Sequence, residues 1–152
     1  MNMRSPLLST VEGDTRVAEH LTQRGIALAK DGFHQEAVAE FDAAIRWRPH
    51  HWLAWYHRGE ALAALNRYAE ALASFEQALE REPDSYQTWT FRAVMLIYLE
   101  RYEEALESCD RAIAIYPDDQ EAWIFRGVAL QRLGRFKLAY ASYEHATSPE
   151  QA

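Results

Sequence analysis

Apolar positions along this chain fall three or four residues apart in short blocks, and the blocks come in pairs. Trp55, Gly59, Leu62 and Leu65 form one stripe of a 3.6-residue period. A turn follows at Leu65-Asn66-Arg67-Tyr68, and Tyr68, Ala71, Leu72, Phe75, Ala78 and Leu79 repeat the spacing. The pattern predicts two amphipathic helices joined by a tight turn. Pro83 forbids continuation of the second helix, since it lacks an N–H and clashes with the preceding turn. The Asp that follows Pro83 and Pro117 is placed to cap the next helix.

The pair is one copy of a repeat. Residues 53–84 align without a gap on residues 87–118 at an offset of 34, and 121–147 and 19–50 fall into the same register. Trp55, Trp89 and Trp123 recur at that period, with Leu21 in the slot first; so do Arg24, Arg58, Arg92 and Arg126. Small residues recur as Gly25, Gly59, Ala93 and Gly127, then Ala37, Ala71, Ala105 and Ala139, and Pro49, Pro83 and Pro117 close the first three copies. Gly59 and Ala71 let two backbones approach closely, and Trp55 is expected to fill the wider gap towards a neighbour. One such hairpin cannot bury its apolar face alone, so stability requires stacking.

At this point the chain resembles the tetratricopeptide repeat (TPR) family. W-x3-G-x2-(L/Y) followed by A-x3-F-x2-A-x4-P at period 34 carries the resemblance, and the texture of residues 54–83 is similar to bacterial members. It implies an all-α fold, a right-handed α-solenoid of four helix-turn-helix TPR units at 18–51, 52–85, 86–119 and 120–152, after a flexible tail at 1–17. First helices would line a concave groove that holds protein segments without catalysis. Cys109 stands in the usual Phe slot, and the last repeat carries Tyr140 and Tyr143 where earlier copies are more apolar. Those hydroxyls suit an end helix with no next repeat to cover it. A half-exposed last helix is therefore expected, with residues 148–152 frayed.

Six consecutive apolar residues, Val94 to Leu99, stand out in this frame. They are far too few to span a bilayer, which needs about 20. Leu96 and Leu99 continue the core stripe, and Met95 fills a slot held elsewhere by Ala27, Ala61 and Ala129. Carrying the family's groove positions onto this chain places Val94, Ile97 and Tyr98 in the groove. The same transfer implies Leu53, Tyr56, His57 and Glu60 in the second repeat, Gln87, Thr90 and Phe91 in the third, and Ile124, Phe125, Val128 and Arg132 in the fourth; Thr22 and Ile26 are among those of the first. Members that bind acidic C-termini use a Lys/Asn/Arg clamp. Its slots here hold Thr22, Ile26, His57, Gln87 and Phe91, or Tyr56, Glu60, Phe91, Glu121 and Phe125, with no Lys or Arg. An apolar or amphipathic segment suits such a strip better than a carboxylate does.

Charge and chemistry narrow the reading further. A net charge of −7 without a Lys/Arg cluster argues against nucleic acid. One cysteine excludes an intrachain disulfide, and in its apolar slot Cys109 reads as a buried, inert thiol. His50, His51 and His57 lack the matched spacing of zinc ligands, so no metal is expected, although six histidines allow modest pH sensitivity. Each repeating arginine is matched by an acid, Asp42, Glu76, Asp110 or Glu144, which predicts inter-helix ion pairs that fix the stacking register. No G-x-S-x-G, phosphate-cradling loop or H-E-x-x-H is present. Residues 1–17 hold no apolar stretch long enough for a signal peptide. The expectation is a cytoplasmic, non-enzymatic, cofactor-free module that binds a protein or peptide segment, with no membrane insertion, as adaptor, assembly factor or chaperone. Its rival is a structural scaffold, a homodimer or larger, built through the last helix or the groove.

Overall fold

The computed structural model describes residues 6–148, with side chains from Thr10 onward. Among them eight helices follow in order: α1 Pro6–Lys30, α2 His34–Trp47, α3 Trp52–Ala64, α4 Tyr68–Arg81, α5 Tyr86–Tyr98, α6 Tyr102–Ile115, α7 Gln120–Arg132 and α8 Phe136–Thr147. They pack as four hairpins, α1/α2, α3/α4, α5/α6 and α7/α8. Two compact halves result, residues 1–81 and 82–152, each made of two hairpins. Helix α1 already begins at Pro6. Residues 6–17, read from sequence as tail, are thus helical; nothing between them and Leu21 breaks the backbone ladder, since Gly13 lowers helix propensity without stopping a helix. Residues 1–5 lie outside the described residues.

Each hairpin turns through one left-handed residue at the same repeat position: Gly32 (φ 85°), Asn66 (59°), Glu100 (59°) and Gly134 (75°). The next amide then reaches back to a helix carbonyl, as Arg67 N to Leu62 O at 2.9 Å and Arg101 N to Leu96 O at 2.8 Å. This satisfies carbonyls that the helix end leaves orphaned. Glycine adopts that conformation freely, whereas Glu100 does so against its Cβ.

The hairpins close on ring-to-glycine contacts. A Cβ added to Gly25 would lie 2.5 Å from the Phe41 ring, one on Gly59 2.7 Å from Phe75, and one on Gly127 2.5 Å from Tyr143. Phe41 and Phe75 are fully buried there, beside Ala37, Ala44, Ala71 and Ala78. In the α5/α6 hairpin both partners change together. Ala93 brings the methyl that the other hairpins exclude, and Cys109 replaces the ring; both are at 0% exposure. The added methyl makes up part of the volume that the smaller Cys109 leaves, and a change that offsets lost volume is the kind close-packed cores tolerate best.

One expectation is corrected. Asp84 and Asp118 are not helix caps. Ser85 caps α5, its hydroxyl accepting from Thr88 N, and Asp119 is the N-cap residue of α7 but makes no side-chain cap bond. The tryptophans also make a polar contact. Trp55, Trp89 and Trp123 donate their indole N–H to the carbonyls of Pro49, Pro83 and Pro117 at 2.8–2.9 Å, tying down the loop before each first helix.

Candidate functional site

Two of the repeating arginines, Arg58 and Arg126, hold neighbouring hairpins together. Arg58 Nε donates to Asp42 of the preceding hairpin at 2.6 Å, while Nη1 donates to Ser74 of its own at 2.7 Å. Arg126 does the same with Asp110 and Ser142, both at 2.8 Å. Arg92 bonds Ser108. Their guanidiniums also lie 5.8–6.0 Å over Trp55, Trp89 and Trp123, a cation–π contact. The acids were visible in the sequence; the serines, completely buried at 74, 108 and 142, were not. Their signal is a periodic Ser at offset 34, and its exception is instructive. In α2 that slot holds Glu40, to which Arg24 pairs at 3.4 Å. Arg58, Arg92 and Arg126 are therefore engaged within the fold, while Arg24 stays largely exposed.

In the N-terminal half, the first helices α1 and α3 present a face rich in histidine. His57 Nδ1 lies 2.7 Å from Glu60 Oε1, and its ring stacks at 6.0 Å on Phe41 and meets the Tyr56 ring edge-on at 5.0 Å. Tyr56 in turn meets Phe75 at 6.1 Å. Beside them a cavity of about 370 Å³ is lined by Ile26, Ala29, Lys30, His34, His57 and Glu60, among others. A second, of about 580 Å³, takes in Arg16, Glu19, His20, His51, Leu53 and His57. Burial pushes His51 below the usual histidine range; nearby Arg48 and His57 add to the effect and Glu19 opposes it. Leu53 is exposed. Among the described residues no group of three or more His, Cys, Asp or Glu is placed to hold a metal ion.

In the C-terminal half, α5 and α7 pack side by side and present a different face. Phe91, Val94, Ile97, Phe125 and Val128 are half-buried. Tyr98 and Ile124 stand out at 59% and 42% exposure, and exposed Arg132 lies 6.0 Å over the Tyr102 ring. Two residues assigned to the groove do not reach a surface. Thr90 is 4% exposed and donates to Asp119 Oδ2 at 2.8 Å; Thr22 is 2% exposed and donates to Ala18 O at 2.7 Å. A small hydroxyl in a helix can bond a carbonyl one turn back, as Thr22 does and as Thr90 also can with Tyr86 O at 3.1 Å, and then packs with little exposure. At the first-turn end of α5 and α7 a cavity of about 370 Å³ is lined by Tyr86, Gln87, Thr90, Phe91, Tyr116, Asp118, Asp119, Gln120 and Glu121. Tyr86 and Tyr116 did not emerge from the sequence. Their rings lie 4.7 Å apart, although 30 residues separate them, and the only signal was a tyrosine at both ends of one repeat. Cys109 is buried behind this face, where desolvation pushes its thiol up to about 12. An inert thiol follows, since the thiolate is the reactive form.

The family model for the tetratricopeptide repeat matches residues 22–86, 62–120 and 96–152, overlapping segments that take in nearly the whole chain. The chain belongs to the TPR family. Among solved structures it is similar to MamA 41-end from Desulfovibrio magneticus RS-1, at 27% identity over 85% of this chain and 73% of that one, with a TM-score of 0.80. It is similar in fold to YrrB, described as a TPR protein with an unusual peptide-binding site (22% identity, 94% and 74% covered, TM-score 0.80). The first TPR of Spaghetti (RPAP3), solved with the HSP90 peptide SRMEEVD, also shares the fold (21% identity, 79% and 95% covered, TM-score 0.77). No curated protein matches the sequence. The fold class is thus the all-α TPR solenoid of four helix-turn-helix units, a scaffold typical of protein–protein interaction. Among the described residues no helix is long and apolar enough to cross a membrane.

Proposed function

We propose that this TPR protein is a non-enzymatic interaction module whose α5–α7 face receives an apolar or amphipathic segment of a partner protein. The observation that carries the reading is the run of Phe91, Val94, Ile97 and Tyr98 on α5 beside Ile124, Phe125 and Val128 on α7, with Tyr98 and Ile124 exposed on a helix pair that is otherwise well packed. Apolar side chains left partly open to water and gathered on one helix pair support an interaction site there. Leu53, Tyr56, His57 and Glu60 on α3 form the more polar counterpart face of the N-terminal half, and Arg132 would orient the segment bound on α5 and α7. The peptide in the RPAP3 complex is acidic. On α5 and α7 the clamp slots hold Gln87, Phe91, Glu121 and Phe125, so an acidic terminus has no cation to meet there. The protein would act in the cytoplasm as an adaptor, assembly factor or chaperone.

Capture of partners by wild type and by Tyr98→Asp, with helicity checked by circular dichroism, tests the proposal. Loss of partners with unchanged helicity supports it; recovery of the same partners by both refutes the site. A second reading is self-association through α8, favoured by Phe136, Leu138 and Tyr140 at 67%, 52% and 65% exposure. Light scattering across concentrations separates the two: a constant monomer mass removes the scaffold reading, and a dimer abolished by Phe136→Glu favours it.

A further inference from the structure

The cavity at the first-turn end of α5 and α7 has aromatic walls and a carboxylate rim. Tyr86 and Tyr116 lie with their rings 4.7 Å apart and tilted by 38°, and Phe91 adds a third ring. Asp118, Asp119 and Glu121 line the same space of about 370 Å³, and among the described residues no Lys, Arg or His does. Acids at a helix start ordinarily offset the positive end of its dipole. Here that account covers only part of what is seen. Ser85, the N-cap residue of α5, does accept a bond from its helix, but Asp119, at the same place on α7, makes no side-chain cap bond. Its Oδ2 accepts instead from the buried Thr90 hydroxyl of α5 at 2.8 Å, the shorter of that hydroxyl's two contacts, Tyr86 O lying at 3.1 Å. The carboxylate is therefore fixed across the cavity, and a helix dipole gives no reason for the tyrosine pair beside it.

We infer that this cavity seats the guanidinium of an arginine on the partner protein, next to the apolar stretch of the bound segment. A guanidinium is planar, stacks on aromatic faces and pairs with carboxylates through its fork of N–H donors, so rings and acids together suit it better than either an apolar side chain or a compact ammonium. The inference rests on the reading of the α5–α7 face as the segment-binding face, because Phe91 belongs to both. It adds a chemical requirement: an arginine at one end of the apolar residues. From Gln87 to Tyr98 is eleven residues, about 16 Å along α5 at 1.5 Å per residue. The arginine and the residue meeting Tyr98 would then stand about five positions apart in an extended segment, or eleven in a helical one.

The test is an amide NMR titration of the full chain with N-acetyl-arginine N-methylamide and with its uncharged citrulline counterpart, on wild type and on the double variant Asp118→Asn, Glu121→Gln. Both substituted side chains are exposed, so the fold is kept, as an unchanged amide spectrum outside the cavity will show. Saturable shifts at Tyr86, Thr90, Tyr116, Asp119 and Glu121 are expected with the arginine compound. Affinity should fall roughly tenfold with citrulline and again in the double variant, the change that about 1.4 kcal/mol produces. Equal response to citrulline, shifts unaffected by the double variant, or no saturable shift at these amides would overturn the inference. The probe is too short to reach Val94 or Tyr98, so its failure leaves the apolar face standing, and failure of the Tyr98→Asp test leaves this result standing.

Discussion

On the α1–α3 face of the N-terminal half, the side chains are occupied with one another. His57 is held between Glu60, Phe41 and Tyr56, and Tyr56 lies against Phe75. On the α5–α7 face of the C-terminal half, the positions of His57 and Glu60 carry Phe91, Phe125, Val94 and Val128, which have no polar atoms to satisfy, and with Ile97 and Ile124 they leave apolar area in contact with water. The comparison teaches that one repeat architecture can use the same positions in two ways. Polar and aromatic groups that find partners within the chain lose those contacts when a ligand displaces them. Aliphatic groups gain on burial about 25 cal/mol per Å² without any such exchange. Behind the faces the halves differ in one hairpin: both N-terminal hairpins and α7/α8 close a ring on glycine, whereas α5/α6 carries Ala93 and Cys109 in those slots.

The largest effects should come from that packing difference. Gly59→Ala places a methyl 2.7 Å from the buried Phe75 ring and should cost about 1–3 kcal/mol in calorimetric unfolding. Cys109→Phe should cost about as much, because Ala93 denies the ring its slot, and adding Ala93→Gly should restore most of the loss, within about 1 kcal/mol. A tolerated Cys109→Phe would break the interlock account.

Next come the arginines. Arg58→Ala and Arg126→Ala each remove an ion pair and a bond to a buried serine, and should each destabilise by about 1–2 kcal/mol in chemical denaturation, the charged partner being partly exposed. The two halves should lose alike, and partner capture should survive. Capture lost with stability kept would instead make these residues a binding ladder. A smaller effect, of opposite sign, is expected at the turns: Glu100→Gly relieves a side chain at φ 59° and should raise stability by about 0.5–1 kcal/mol, whereas Gly134→Ala at φ 75° should lower it.

The smallest effect concerns pH and belongs to the histidine-rich face. The folded state holds His51 below its ordinary value of 6.5, so the unfolded chain takes up that proton first. Its contribution to stability is complete above pH 6.5 and is lost as the pH falls from there through the lowered folded value. His51→Gln should flatten this slope in thermal melts recorded from pH 7.5 to 5, and an unchanged slope would remove His51 as its source.

The period of 34 made the hairpins, their turns and most of the buried residues legible in the sequence alone, because a repeat states its core four times over. What it hid was of two kinds. Some groups act through partners that are not periodic neighbours, as Thr90 does with Asp119 and Tyr86 with Tyr116. Other groups change role with context. Trp55 reads as a core residue by spacing, but its indole N–H is best satisfied at Pro49 O, which leaves the ring half-exposed. The Ala93–Cys109 exchange was visible as two separate departures; only the distance from glycine to ring in the sister hairpins joins them. Residues 6–17 lie before the repeat and carry none of its pattern, so the start of α1 was not legible, although proline is well tolerated in the first turn of a helix.

The central claim is that the aliphatic face on α5 and α7, more than the histidine face on α1 and α3, receives the partner. It is tested most directly by a methyl NMR titration of the whole chain with an amphipathic helical peptide of leucine, alanine and glutamine bearing one arginine near one end. The account predicts saturable shifts of the Val94, Ile97, Ile124 and Val128 methyls while Ile26 on α1 stays nearly still. Shifts led by Ile26, or none at the α5–α7 methyls, would contradict it.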